Sequence, residues 1–162
     1  MNAWNPRVVA MVALTFAVPG AALAQSLKTA IVGSWTVVSV VDAYDDGKNV
    51  NNWGAVKGNL NFDAGGRFAQ IIVGDAQPAL KTPDPRKPDA PVVAYYGTYT
   101  VNEATNAVAF KVEAASYSAR VGAPFTSTIE VKGDTMTVLS SPRQDQHGTF
   151  RPRLELKRAS VL

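Results

Sequence analysis

Ala30-Ile31-Val32-Gly33-Ser34-Trp35-Thr36-Val37-Val38-Ser39-Val40-Val41 is a β-branched run with a glycine near its start and one tryptophan two residues later. Side chains branched at Cβ favour the pleated conformation. Gly33 allows close backbone approach just before Trp35, whose bulk suits the interior of a closed sheet. The stretch predicts the first strand of an all-β barrel.

Outward from it, the pattern is strand and turn throughout, apart from a single helical turn at Ser26 to Ile31. The spacing predicts eight strands, near Val32–Val41, Gly58–Phe62, Arg67–Val73, Val92–Val101, Ala107–Ala114, Phe125–Val131, Thr135–Ser140 and Thr149–Lys157. Asp45-Asp46-Gly47, Asp63-Ala64-Gly65-Gly66, Asn102 to Asn106 and Lys132-Gly133-Asp134 supply turn residues that tolerate positive φ. The connection from Gly74 to Pro91 is different. Pro78, Pro83, Pro85, Pro88 and Pro91 cannot donate to a ladder, so it reads as a long loop at one mouth, either a lid or a solvated linker.

Alternate residues of a strand share a face. Val108, Phe110 and Val112 oppose Lys111 and Glu113. Phe125, Ile129 and Val131 oppose Thr126, Thr128 and Glu130, and Phe150, Leu154 and Leu156 oppose Arg151, Arg153, Glu155 and Lys157. One face is apolar and one wet, and closing eight such strands into an up-and-down antiparallel barrel removes both exposed edges. In that topology the last strand ends beside the start of the first, which brings Arg158 to the Trp35 ring as a cation–π contact or leaves it as a solvated terminal arginine. The first strand is less regular. Val38 and Val40 fall opposite Trp35, Val37 and Val41, which calls for a bulge or a second contact surface.

Ahead of the barrel, residues 1–24 carry Arg7, an apolar run from Val8 to Val18, a Pro19-Gly20 break and Ala22-Leu23-Ala24 before Gln25. This is the layout of a secretory signal peptide cleaved near Ala24-Gln25, leaving one domain over residues 25–162. The apolar run falls short of the roughly 20 residues a spanning helix needs, so no stable membrane span is expected after cleavage. Export together with the absence of cysteine points to the periplasm or the medium of a bacterium, with no disulfide framework and no thiolate chemistry.

The charges exclude several functions. Of 16 basic residues against 13 acidic, Arg7 leaves with the leader. A residual of about +2 does not call for a nucleic-acid partner, and Glu155 interrupts the basic strand carrying Arg151, Arg153 and Arg158. His147 is the single histidine, so no metal site is expected. A calcium loop starting at Asp42 would need oxygen donors where Tyr44 and Trp53 stand. There is no Gly-x-Ser-x-Gly elbow, and Arg143 to Gly148 around His147 reads as an exposed turn, so no catalytic residue and no cofactor are assigned.

Taken together, the chain resembles the bacterial lipocalin-like domain family, relatives of the calycin barrels. The likeness rests on Val32-Gly33-Ser34-Trp35, the segment Gly58 to Phe68 with Phe62, Gly65, Gly66 and Arg67, Ala94-Tyr95-Tyr96-Gly97-Thr98-Tyr99-Thr100-Val101, Val121-Gly122, and Ile129 to Val138 around Lys132-Gly133-Asp134. The resemblance implies a barrel with a cavity and no single activity. The chain departs from the family twice: Phe110-Lys111 stands where relatives commonly have a histidine, and Arg120 where an aromatic commonly precedes Val-Gly.

Tyr95, Gly97 and Tyr99 share a face. With Phe62, Phe68 and Phe110 they are candidates to line an aromatic cavity, with Arg120 near one mouth to meet an anionic group on a ligand. The expected function is an exported protein binding a small hydrophobic or amphipathic molecule. Two alternatives stay open: an isomerase or cyclase drawing a proton from Tyr95 or Tyr99, and an interaction module with a filled core. Neither the ligand nor the oligomeric state is legible.

Overall fold

The computed structural model describes residues 25–75 and 90–160. The expected signal peptide and residues 76–89 of the proline-rich connection lie outside the described residues.

A short helix α1 (Leu27–Ile31) precedes ten strands: β1 (Gly33–Tyr44), β2 (Asn49–Val50), β3 (Lys57–Phe62), β4 (Arg67–Val73), β5 (Val92–Asn102), β6 (Ala107–Ala115), β7 (Phe125–Lys132), β8 (Thr135–Ser140), β9 (Arg143–Asp145) and β10 (Gly148–Arg158). All neighbours are antiparallel, and β10 pairs with β1 from Trp35↔Arg158 to Tyr44↔Phe150, which closes the sheet. β2 follows β3 along the same edge of β1, and β9 follows β8 along the same edge of β10. The ring therefore has eight staves, a closed up-and-down barrel.

The eight expected strands are all present. β1 continues three residues beyond Val41, and β2 and β9 were not expected. These two pieces are two or three residues long, too short to show a period, and they form because β1 and β10 outrun their neighbours and leave bare ladder edges.

The parity conflict in the first strand is settled by a bulge. The β1–β10 register shifts between Val37 and Ser39, so Trp35, Val37 and Val40 are all buried while Val38 is 53% exposed. A second shift, between Tyr96 and Gly97 in the β5–β6 ladder, sits where Gly97 packs against the Lys111 carbonyl oxygen. A Cβ at that position would collide with it. Gly33 has φ +123° and faces the Arg158 guanidinium, so the chain enters β1 in a conformation that favours glycine.

One end of the barrel is plugged. α1 buries Leu27, Ala30 and Ile31, and the Glu103 carboxylate in the β5–β6 turn accepts from the free N–H groups of Leu27 (2.8 Å) and Lys28 (2.9 Å). Trp35 Nε1 donates to the Ile31 carbonyl at 2.7 Å, and Arg158 lies over the Trp35 ring, the contact the topology predicted. No helix among the described residues is long and apolar enough to cross a membrane.

Candidate functional site

The inward-facing aromatics do not line one hollow, because the barrel is divided along its axis. In the half next to the plug, Phe62, Phe68, Tyr99 and Phe110 are each at most 5% exposed and pack on one another. Phe62 meets Tyr99 edge-on at 5.0 Å between centroids, and Phe68 meets Phe110 at 4.8 Å. The Tyr99 hydroxyl donates to the Asp63 carbonyl at 2.6 Å, and burial raises its pKa. This half is a packed core.

At the opposite end the barrel opens into a cup of about 200 Å³. Val40, Trp53, Ile72, Val93, Phe150 and Leu154 provide apolar wall, and Asp42, Gln70, Tyr95, Tyr117, Arg120 and Arg143 bring polar groups to the same space. Below it lies a smaller hollow of about 20 Å³, sharing Gln70, Tyr95, Ser140 and Leu154 with the cup and reaching down to Phe110, Phe125 and Ser127. Gln70 and Ser127, the buried polar residues among those described, both border this lower hollow. It has room for about one water molecule. The sheet thus changes character midway, from solid hydrocarbon to a polar-floored recess.

Arg120 reaches the cup because β6 and β7 part company. Their ladder runs only from Ala107↔Thr128 to Phe110↔Phe125, and beyond it the chain makes a 3-10 turn at Ser118–Arg120. Gly122 N–H donates to the Val112 carbonyl and ties this turn back to β6. The Arg120 guanidinium lies 4.2 Å from the centroid of the Phe125 ring and 5.8 Å from that of Tyr95, and its Nε donates to the Tyr117 hydroxyl at 3.0 Å. Stacking and one hydrogen bond hold it, and no carboxylate among the described residues pairs with it.

Burial pushes the Tyr95 hydroxyl up to about 12, against the charges of Arg120 and Arg143 and the Gln70 amide, which pull the other way. The phenol stays protonated through the physiological range and offers one donor and one acceptor to the cup. Asp42 turns inward beyond the β1 bulge, and its carboxylate accepts from Asn52 Nδ2 at 2.9 Å.

A model of the lipocalin-like domain family matches residues 32–159, which is nearly all of the barrel. The chain belongs to the lipocalin-like domain family. No curated protein sequence matches it. Among solved structures, it is similar to a lipocalin-like protein from Bacteroides uniformis ATCC 8492, at 14% identity and a TM-score of 0.45 over 80% of this chain and 98% of the other. It is also similar to an uncharacterized protein from Bacteroides eggerthii DSM 20697, at 15% identity and a TM-score of 0.38 over 77% and 98%. The siderocalin Ex-FABP is a more distant likeness, at 10% identity and a TM-score of 0.34 over 80% and 70%.

Within this lipocalin-like barrel the six residues expected to line a cavity fall into two groups. Tyr95 and Arg120 line the cup, and Phe110 reaches the lower hollow from beneath. Phe62, Phe68 and Tyr99 are buried in the packed half, Phe62 against Tyr99 and Phe68 against Phe110 and the edge of Tyr95. Trp53, Gln70, Ser127, Arg143 and Phe150 were not singled out from the sequence. Gln70 had a readable signal, since it shares inward parity with Phe68 and Ile72, and Ser127 shares it with Phe125 and Ile129.

Another hollow, about 520 Å³, lies outside the barrel between the hairpin tip and the β9–β10 turn, with Tyr44, Lys48, Asp145 and His147 in its wall. Tyr44 donates to Asp145 at 2.7 Å, which lowers the Asp145 pKa and raises that of Tyr44 to about 12. His147 is exposed in that turn, as expected, with its N–H donating to Asp145. This hollow lacks the apolar wall that burial-driven binding needs. The cup has one.

Proposed function

We propose that this lipocalin-like protein is exported to the periplasm or the medium and there holds a small hydrophobic or amphipathic molecule in the cup. The observation that carries the reading is the division of the barrel. A core meant only for stability would fill both halves, yet the half away from the plug keeps a recess with apolar walls and polar groups at its floor. Burying a guest there contributes roughly 25 cal/mol per Å² of apolar surface, and Tyr95, Gln70 and Arg120 fix its orientation.

The size of the cup constrains the guest. At about 200 Å³ it lies below the roughly 300–1,000 Å³ usual for drug-sized ligands, so it suits a one-ring compound or one end of a longer molecule. Catalysis by the same recess would fall to Tyr95, because the Tyr99 hydroxyl already donates to Asp63. A phenol with a pKa near 12 is a poor proton donor at neutral pH, which favours binding over isomerisation.

Native mass spectrometry of the protein recovered from its host tests the reading. A bound mass that dissociates on activation supports it, and Val93→Trp, which places an indole in the cup, abolishes that mass. A bare protein that also fails to bind any one-ring aromatic at millimolar concentration counts against it.

A further inference from the structure

We infer that the guest of the cup is a carboxylate, seated with its apolar part against Leu154 and Phe150 and its charged end between Arg120 and Arg143. The inference rests on the binding role proposed above and names the class of ligand.

Two arginines, the half-buried Arg120 and the exposed Arg143, line one small recess. Both Arg120 and Arg143 lie near enough to Tyr95 to pull its hydroxyl pKa downward, so their charges act on the same point in the cup. Among the described residues, neither has a carboxylate within ion-pair distance. Asp42, the acidic residue of the wall, is engaged by Asn52 instead. Arg120 is anchored by Phe125 and, through Nε, by Tyr117, while no protein acceptor among the described residues takes its Nη groups. A guanidinium stacked on aromatic rings, with Nη donors that no described residue takes up, is pre-organised for a planar two-oxygen acceptor.

The rest of the recess suits the same guest. The apolar walls accept a ring or short alkyl chain, and the protonated Tyr95 hydroxyl supplies a further donor to a carboxylate oxygen. An amine would meet two positive charges against one carboxylate. A neutral amide would lose the charge-assisted bonds and keep only the burial.

The test uses three probes of one shape, phenylacetate, phenylacetamide and phenethylamine, titrated calorimetrically into the whole purified protein. Phenylacetate should bind about tenfold or more tightly than phenylacetamide, with phenethylamine weakest. The carboxylate-over-amide ratio should shrink as salt is raised. In Arg120→Gln that ratio should fall towards one, and in Arg120→Lys part of it should return. A ratio is read because general damage to the fold weakens both probes alike, and a melting curve reports whether each variant is folded. Should Arg120→Gln fail to fold, Arg143→Gln takes its place and should lower the ratio on its own. Equal binding of acid and amide by the wild-type protein overturns the carboxylate assignment and leaves the cup as a site. No binding of any probe overturns the binding role, and the carboxylate assignment falls with it.

Discussion

The guanidinium carbon of Arg158 stands 4.1 Å from the centroid of the Trp35 ring, and its two terminal nitrogens donate to the carbonyls of Val32 (3.1 Å) and Ala30 (2.9 Å). The last residue of β10 thereby fastens the first residues of β1 and the end of α1 in one contact. Arg158→Met, which keeps the bulk and removes the donors, should cost about 1–3 kcal/mol in urea unfolding. Trp35→Ala should cost about 3–5 kcal/mol, since the indole is fully buried. Destabilisation by Arg158→Met indistinguishable from zero would mean that ladder pairing alone closes the ring.

Gly97 tests the bulge. Its missing side chain lets β5 approach the Lys111 carbonyl, and no flexible group stands there to move aside. Gly97→Ala should destabilise the protein by about 1–3 kcal/mol or more, through overpacking against backbone. Gly47→Ala is the control, because a Cβ there meets nothing within 4 Å and only its φ of +89° carries a strain cost. Equal losses at both positions would assign the effect to conformational freedom and not to close approach.

Tyr95 makes stability fall in strong alkali. Its folded pKa is about 12 against an unfolded value near 10, so the folded state favours the protonated phenol. The corresponding stability is fully present below pH 10 and is lost as pH rises towards 12, at up to about 1.4 kcal/mol per pH unit. Urea unfolding at pH 8 and pH 11 should therefore show a larger loss for the wild-type protein than for Tyr95→Phe. Because the Arg120 charge lowers the Tyr95 value, Arg120→Met should raise it further. Parallel losses in wild type and Tyr95→Phe would place that hydroxyl in water.

The ring closure could be read from the chain because it depends on periodicity. Leu154, Leu156 and Arg158 alternate with Glu155 and Lys157, and following that alternation to its end brings Arg158 to Trp35. The interruption in β1 was visible as a conflict of parity at Val38 and Val40, although not which residue bulges. Depth along the barrel axis was not legible. Phe62, Phe68, Tyr99, Phe110 and Tyr95 all face inward, but which of them reach the recess depends on the stagger of the strands, a property of the closed sheet and not of any one strand. Phe62, Phe68 and Tyr99 therefore read from the sequence as cavity residues although they fill the packed half, whereas Phe110 borders the lower hollow. The polar inward positions Gln70 and Ser127 were the better signal, because a buried polar side chain needs a partner and marks where packing gives way to a recess.

The central claim is that the half of the barrel away from Trp35 and Arg158 receives the guest. Amide chemical-shift changes on adding phenylacetate to the isotopically labelled protein test it most directly. The expected changes cluster at Trp53, Gln70, Tyr95, Ser127 and Leu154, with Ser34, Asn61 and His147 on the outer surface unmoved. Changes confined to the outer hollow around Tyr44, Asp145 and His147, or none at saturating probe, would contradict it.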